Sequence, residues 1–264
     1  MQDIGSYLDH MRSASPLVHN ITNFVAMNSM ANVLLSAGAS PAMVHSLEEV
    51  EDFAAISNAL TVNIGTLEPA WVDAMTKAIA RFNADGKPWV FDPVGVGATP
   101  YRKEVSARIL ELKPTVIRAN ASEILSLAGL SNAGKGVDSG DDVTSAVDAA
   151  KVLALQTGGI VAVTGSIDVV TDGTTQISIP HGSVMMSKIT TMGCALNGVI
   201  GAFCVGQTPL ESTAAALTYY GIAGELAKQN SHGPGSFWVA FLDALASLSG
   251  DEVSQRSKAI LNGN

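Results

Sequence analysis

The 264-residue chain carries 24 acidic and 15 basic side chains, which gives a formal net charge of −9 at pH 7. This acidic balance argues against nucleic-acid and anionic-membrane partners, because such phosphate-rich surfaces require clustered Lys and Arg. Apolar residues make up 47% of the chain and charged residues only 15%, so we expect the surplus apolar surface to be buried in a subunit interface.

The first residues lack the basic region and the apolar region of a signal peptide. Further along, no apolar run approaches the roughly 20 residues that are needed to cross a bilayer. We therefore expect a cytoplasmic protein. Because no low-complexity stretch or charge-dense linker divides the sequence, we also expect one domain over residues 1–264.

Five short β-branched runs alternate with longer helical segments through the first two thirds of the chain. This rhythm predicts an α/β fold with a mainly parallel central sheet and crossover helices on its faces. The runs are Leu17–Ile21, Leu60–Gly65, Trp89–Asp92, Val116–Asn120 and Ile160–Gly165. In such sheets ligands bind beyond the carboxyl ends of the strands, so we expect a site there.

The polar residues at these strand ends are Asp92, Asn120 and the Thr164-Gly165 pair. Asn120 and Glu123 stand three residues apart at a strand-to-helix turn, where an amide and a carboxylate can face the same side. Oxygen ligands of this kind suit Mg²⁺, often through its retained waters. A helix cap with glutamate at its third position explains the same pair equally well.

A late antiparallel addition to the sheet is predicted by Asp168–Ile179, in which two β-rich runs flank Asp172-Gly173. Farther on, Thr208-Pro209-Leu210-Glu211 combines a capping-box pattern with proline at the first helical position, which predicts a long helix to about Gln229. After the break at Gly233–Ser236, the apolar spacing of Phe237–Leu248 predicts a further core helix.

Between these segments, a small turn at Thr190–Gly193 opens onto an apolar, helix-forming run with Cys194 in its first turn. Free backbone N–H groups and the positive end of a helix dipole predict an anionic phosphoryl group at this turn and a more acidic thiol. The alternative is a cysteine that only packs as a small hydrophobe. Cys204 is expected on the same helix, too far along it for a disulfide with Cys194.

Four segments together resemble the hydroxyethylthiazole kinase family, which belongs to the ribokinase-like superfamily. They are Pro16–Asn23, Ala37–Met43, Asp92–Ala98 and Arg118–Glu123, and three shorter matches follow at Val163–Gly165, Asp172-Gly173 and Gly193–Ala195. All appear in the family's order from about residue 16 to about residue 242. The resemblance implies a ribokinase-like fold and ATP- and Mg²⁺-dependent phosphorylation of the primary alcohol of 4-methyl-5-(2-hydroxyethyl)thiazole in thiamine biosynthesis and salvage.

The resemblance also implies site roles, a homotrimer and thiazole sites shared between neighbouring subunits. Contacts to ATP are implied for Arg118 and Thr164, and contacts to the thiazole for Asn23, Met43 and Thr191. Organisation of Mg²⁺ and the phosphates is implied for Asp92, Asn120 and Glu123. The implied catalytic groups are the amides around Gly193 and Cys194, which stands where most ribokinase-like enzymes carry an aspartate base.

The chain departs from the family pattern at one turn, where Thr191-Met192 precedes Gly193-Cys194 in place of the usual Gly-small pair. If the turn needs positive φ, threonine is a poor replacement for glycine. Met192 is then expected to crowd the γ-phosphate or the neighbouring pocket wall.

Three alternatives to a thiazole kinase remain open from the sequence. A ribokinase-like hydroxymethylpyrimidine kinase would use the same phosphate machinery on a different alcohol. An NAD(P)H-hydrate dehydratase shares the fold and the ATP site, but an aspartate is expected where Cys194 stands. A thiazole-binding module without catalysis does not explain the set of Asp92, Asn120 and Glu123.

Overall fold

The computed structural model describes residues 3–130, 140–257 and 260–262. The described residues form a nine-stranded sheet with helices on both faces. The strands are β1 (Leu17–Ile21), β2 (Ser40–Ala42), β3 (Ala59–Asn63), β4 (Trp89–Asp92), β5 (Val116–Asn120), β6 (Ile160–Thr164), β7 (Asp168–Thr171), β8 (Gln176–Ile179) and β9 (Ile260–Asn262).

The α-helices follow most of the strands, as expected for crossover connections. They are α1 (Ile4–Ala14), α2 (Met27–Ala37), α3 (Val50–Ile56), α4 (Pro69–Ala84), α5 (Pro100–Leu110), α6 (Ala121–Leu127), α7 (Gly140–Thr157), α8 (Met192–Cys204), α9 (Pro209–Gln229), α10 (Pro234–Ser247) and α11 (Gly250–Arg256). A 3₁₀ helix at Val184–Lys188 precedes α8. None of the helices in the described ranges is long and apolar enough to cross a membrane.

The sheet has the order β2-β1-β3-β4-β5-β6-β7-β8-β9. Neighbouring strands are parallel from β2 to β6 and antiparallel from β6 to β9. The predicted mainly parallel α/β sheet with a late hairpin is therefore confirmed. The sequence reading missed β2 and β9, each only three residues long.

The core lies in layers on the two faces of the sheet. Along β4, Val90 packs with the layer that contains α2, α8 and α9, whereas Trp89 and Phe91 pack with the layer that contains α4. Side chains alternate between the faces of a strand, so a strand covered on both faces needs apolar residues at every position. This requirement explains the continuous β-branched runs in the sequence.

Helix α8 lies in the centre of one layer and is apolar around most of its circumference. It packs closely on α2, because a Cβ on Gly198 would lie only 3.0 Å from a methyl carbon of Leu34. The next helix, α9, begins with Pro209 at its first position as predicted. The predicted capping box at its start is wrong, because within the described chain the Thr208 side chain makes no capping hydrogen bond.

Candidate active site

The carboxyl ends of the parallel strands bring polar side chains together at one edge of the sheet. Asn63 at the end of β3 is paired in register with Asp92 at the end of β4, and Asn120 is paired with Thr164 across β5 and β6. All four residues are the last of their strands, and neighbouring parallel strands end at the same edge of a sheet. The fold thus brings together the polar strand-end residues from which a site is predicted.

Asp92 is the centre of a buried hydrogen-bond network. Its side chain is only 1% exposed, and its Oδ2 accepts hydrogen bonds of 2.6 Å from the amide groups of both Asn63 and Asn197. The guanidinium Nη1 of Arg118 lies 3.9 Å from the same oxygen. The other oxygen, Oδ1, is buried and has no hydrogen-bond partner among the described residues. One acceptor therefore remains for a ligand, a water or a proton.

Burial raises the pKa of the Asp92 carboxyl from its ordinary 3.8 to about 6. The Arg118 cation lowers this pKa and the Glu123 carboxylate raises it, and the two amide hydrogen bonds lower it again. Desolvation of the charged form is the largest of these effects. Asp92 is therefore ionised at pH 7 and becomes protonated only about one pH unit below.

Cys194 lies in the first turn of α8, beside this network. Asn23 Nδ2 donates to its Sγ at 3.4 Å and also to Asn63 Oδ1 at 3.0 Å. Burial, with the negative charge of Asp92, raises the pKa of the Cys194 thiol. The expectation of a more acidic thiol is therefore wrong, because burial and Asp92 outweigh the favourable effect of the helix start.

Arg118 connects the buried network to the start of α8. Its Nη2 donates to Thr164 Oγ1 at 2.7 Å. The backbone of Gly193 lies against the same guanidinium, since a Cβ on Gly193 would be 2.7 Å from both Nη1 and Nη2. A side chain at residue 193 would therefore displace Arg118 or the start of α8. The three residues predicted to work together, Arg118, Thr164 and Gly193, are adjacent.

These three residues line a cavity of about 800 Å³ between the ends of β6 and β7, the 3₁₀ helix and α9. Asp168 lines the same cavity and accepts the Gly165 N–H at 2.8 Å. Burial raises the pKa of Asp168 to about 6, although the Gly165 hydrogen bond and the Arg118 charge lower it. The volume suits a ligand of nucleotide size.

Asn120 and Glu123 form a capping box at the start of α6. Asn120 Oδ1 accepts the Glu123 N–H at 2.9 Å, and Glu123 Oε2 accepts the Asn120 N–H at 3.0 Å. The remaining oxygen, Glu123 Oε1, accepts the N–H of Gly95 at 2.9 Å. Among the described residues no group of three or more His, Cys, Asp or Glu could alone hold a metal ion, so a metal here would also need waters or ligand oxygens.

The family model of the hydroxyethylthiazole kinase family matches residues 8–251 of the chain. The chain belongs to this family. A hydroxyethylthiazole kinase from Cereibacter sphaeroides (strain ATCC 17025) is 55% identical over 258 residues, which is 98% of each chain. One from Rhizobium etli (strain CFN 42) is 52% identical over 256 residues, which covers 96% of this chain and 99% of the relative.

Solved structures agree with this membership. The hydroxyethylthiazole kinase protein from Pyrococcus horikoshii OT3 superposes with a TM-score of 0.91 at 37% identity and covers 99% of this chain and 100% of its own. The pyridoxal kinase from Staphylococcus aureus has a TM-score of 0.62 at 18% identity, over 94% of this chain and 99% of its own. At that identity the likeness shows the fold alone, which is ribokinase-like.

Met43 lines a different cavity from Arg118, Thr164 and Gly193. It lines a smaller cavity of about 350 Å³ together with His45 and Trp71. The ring of Phe24 lies 4.9 Å from that of Trp71, centroid to centroid, and is 65% exposed. Asn23, next in sequence to Phe24, reaches Cys194, so the chain runs directly from this aromatic surface to the buried network.

Thr191 adopts the left-handed conformation, with φ 69° and ψ 1°, immediately before α8. The turn therefore does use the positive φ for which glycine is better suited. The Thr191 hydroxyl meets the Ser29 hydroxyl from α2 at 2.5 Å. On the other side of the turn, Tyr220 donates to the Met192 carbonyl at 2.9 Å, and the Met192 side chain is buried in the core layer and lines the larger cavity.

The sequence reading missed four residues at this site: Asn63, Asn197, Ser29 and Asp168. Asn63 carried a signal, since it is a polar residue within the second predicted strand run, Leu60–Gly65. Asn197 lies three residues after Cys194 in an apolar helix, where a buried amide calls for a partner. Ser29 and Asp168 carried no local signal, because their partners are distant or depend on the loop geometry.

Proposed function

We propose that the protein transfers the γ-phosphoryl group of ATP to the primary alcohol of 4-methyl-5-(2-hydroxyethyl)thiazole, with Mg²⁺ as the metal. The observation that carries this proposal is the contact of Arg118 with both Asp92 and Gly193, in a chain of the hydroxyethylthiazole kinase family. A cation between a buried carboxylate and a helix start suits the charges of a transferring phosphoryl group.

ATP is assigned to the larger cavity, with Arg118 and Thr164 as its protein contacts. Arg118 presents a planar guanidinium that is held by Thr164 at 2.7 Å, and guanidinium groups bind phosphate oxygens strongly. The hydrogen bond limits the motion of the long side chain, so less conformational freedom is lost when the phosphates bind.

The γ-phosphate is assigned to the start of α8. This helix has 13 residues, and its first backbone N–H groups, around Gly193, have no carbonyl partner within the helix. A helix start of this kind binds anions through its N–H groups and its dipole. The same groups stabilise the charge on the transferred phosphoryl group, which is the role assigned to Gly193.

Mg²⁺ is assigned to the edge formed by Asp92, Asn120 and Glu123. Asp92 Oδ1 supports this assignment, because it is a buried carboxylate oxygen without a protein partner in the described chain. Both oxygens of Glu123 already accept backbone N–H groups, so Glu123 and Asn120 would act through metal-bound waters. When bound, the ion neutralises negative charge on the phosphates of ATP.

The alcohol is assigned to the space beside Cys194, with Asn23, Met43 and Thr191 as thiazole contacts. Its oxygen forms a bond to the γ-phosphorus while the bond to the β–γ bridging oxygen breaks, and ADP leaves. Because the transition state is loose, the hydroxyl proton is lost late. Only the thiolate form of Cys194 can accept this proton, which returns the residue to its neutral thiol. Because the pKa of the thiol is raised, the thiolate is a minor form of the free protein.

A homotrimer with thiazole sites between subunits is part of the same proposal. The exposed pair Phe24 and Val25, 65% and 64% exposed, supports an apolar contact surface next to Asn23. Replacing both residues with serine should convert a trimer of the full chain into monomers in sedimentation equilibrium. A wild-type monomer at micromolar concentration would contradict this part of the proposal.

The acceptor is tested by ADP release from ATP and Mg²⁺ with three additions: the thiazole alcohol, the hydroxymethylpyrimidine, and no acceptor. We expect kcat/KM for the thiazole to exceed that for the pyrimidine by at least about tenfold, with little ADP in the blank. An equal or higher kcat/KM with the pyrimidine would contradict the thiazole as the acceptor but not the kinase activity.

A further inference from the structure

The turn before α8 places a β-branched residue in a conformation that β-branched residues rarely adopt. Three non-glycine residues of the described chain have positive φ: Ser15, Lys113 and Thr191. Of these, only Thr191 is β-branched and lies next to the proposed phosphate-binding amides. A threonine at φ 69° is strained, and such strain persists only when surrounding contacts hold it.

The contact that holds Thr191 comes from Ser29 on α2. The two hydroxyl oxygens are 2.5 Å apart, a separation that requires a proton between them. Ser29 Oγ also lies 3.1 Å from the Ala26 carbonyl, and Thr191 Oγ1 lies 2.5 Å from the Thr190 carbonyl. When Ser29 donates to Thr191, the Thr191 hydroxyl is free to donate to the Thr190 carbonyl, and its side chain is tied both to α2 and to its own preceding peptide. When Thr191 donates to Ser29 instead, the tie to α2 remains.

Helix α2 can serve as a fixed support because the start of this helix is itself held. Asn23 Oδ1 accepts the Ala26 N–H at 3.0 Å, and Asn23 Nδ2 donates to Cys194 Sγ. Farther along, Leu34 packs against Gly198 of α8. The start of α8 is thus held at two points, by Ser29 of α2 at Thr191 and by Asn23, in the segment before α2, at Cys194.

We propose that Ser29 is a positioning residue for phosphoryl transfer. Its hydroxyl keeps Thr191 left-handed, and this conformation directs the first N–H groups of α8, around Gly193, toward the γ-phosphate. Ser29 is assigned no contact with the phosphate or the acceptor and acts through Thr191. The inference rests on the proposed function, because it takes the start of α8 as the γ-phosphate site.

The test is a double-mutant cycle with Ser29→Ala, Thr191→Gly and the double variant. Glycine adopts positive φ without side-chain help, so the loss of the Ser29 hydroxyl should matter only when residue 191 is threonine. We expect Ser29→Ala to lower kcat about tenfold and to raise KM for ATP by a smaller factor. The double variant should match Thr191→Gly, and Ser29→Thr should keep wild-type kcat.

Ser36→Ala is the matched control, because it makes the same exchange about two turns later on α2. Equal losses from Ser29→Ala with threonine and with glycine at residue 191 would overturn the proposal, as would an unchanged kcat in Ser29→Ala. Thermal melts of all variants show whether each one folds.

A second readout needs no acceptor and separates this proposal from the proposed function. It is the ratio of affinities for a non-hydrolysable ATP analogue and for ADP, measured by calorimetry. Ser29→Ala should lower this ratio, and Thr191→Gly in the same chain should restore it. If the wild type does not phosphorylate the thiazole but the ratio falls in Ser29→Ala and returns with Thr191→Gly, only the thiazole assignment is contradicted. An unchanged ratio in Ser29→Ala would contradict the positioning role.

Discussion

The Asp92 carboxylate and the Arg118 guanidinium lie 3.9 Å apart, and their side chains are 1% and 12% exposed. Burial still dominates, because the pKa of Asp92 is raised to about 6 despite the nearby cation. A charged group that is held close to its protonation point in a candidate active site makes pH a direct probe of its role.

The pH profile of kcat/KM is the first prediction. Asp92 must be ionised to offset cationic charge and accept ligands, so kcat/KM should fall as the pH drops through about 6. Asp168 has a pKa raised to a similar value, so Asp168→Asn is the matched control. We expect the acidic limb to persist in Asp168→Asn, and its disappearance there would assign the limb to Asp168.

The second prediction concerns stability. The folded state holds the Asp92 proton up to about pH 6, whereas the unfolded state loses it near pH 4. The contribution of this group to the free energy of unfolding is therefore largest below pH 4, and it decreases as the pH rises to 6. Above pH 6 the buried carboxylate charge lowers the free energy of unfolding by about 3 kcal/mol relative to its value below pH 4.

Asp92→Asn removes this charge while its side-chain oxygen can still accept from Asn63 and Asn197. The variant should gain about 1–3 kcal/mol of unfolding free energy at pH 7 and little at pH 4, although its turnover is lost. Urea unfolding at the two pH values measures the difference. An equal change at both values would show that the folded pKa of Asp92 is not raised.

The third prediction concerns the close approach of Gly193 to Arg118. A Cβ at residue 193 would meet the guanidinium nitrogens at 2.7 Å, so Gly193→Ala must displace Arg118 or the start of α8. We expect kcat/KM to fall by about 100-fold, the scale seen when one transition-state donor is lost.

Gly165→Ala provides the control for this substitution. Gly165 lines the same cavity, but a Cβ there would have its nearest neighbour at 3.7 Å, an ordinary contact. Steady-state kinetics should show a change below about threefold in this variant. Comparable losses in both variants would mean that any added methyl group impairs the cavity, and that the Arg118 contact has no special role.

The fourth prediction concerns the proposed base. In Cys194→Asp the new carboxylate would receive the Asn23 amide, and the nearby Asp92 charge would raise its pKa. A carboxylate with a raised pKa is a serviceable base for a proton that is lost late. We therefore expect kcat to be kept or raised, and Cys194→Ser to be slower than Cys194→Asp.

A loss in Cys194→Asp as large as that in Asp92→Ala, with an unchanged melting temperature, would contradict a replaceable base. Unchanged kinetics in Cys194→Ala would instead indicate that Cys194 only packs. Both outcomes are read from kcat at saturating ATP.

Much of the fold could be predicted from local pattern. β1, β4 and β5 have the predicted bounds, because continuous apolar runs that end in polar residues are typical of strands buried on both faces. β2 has only three residues, one of them Pro41, and such a short edge strand has no detectable period. β9 pairs with β8 across about 80 residues of chain, and nothing local indicates that pairing.

The residues of the candidate site could be predicted from the sequence more completely than their pKa values and hydrogen-bond partners. Strand ends and family resemblance indicated Asp92, Arg118 and Gly193, which the fold brings together. The acidity of Cys194 was inferred from its own helix, whereas the structure makes burial and Asp92 decisive. The partner of Thr191 is Ser29, which lies 162 residues away in sequence, so no local pattern could indicate it.

The most direct test of the central claim follows the γ-phosphate itself. Purified full-length protein would be incubated with γ-phosphate-labelled ATP, Mg²⁺ and hydroxyethylthiazole, and the labelled products would be separated, with Asp92→Ala as the matched inactive variant. We predict that label appears in the thiazole phosphate for the wild type and not for Asp92→Ala. Label that stays in ATP, or appears only as inorganic phosphate, in a folded wild type that binds ATP would contradict the account.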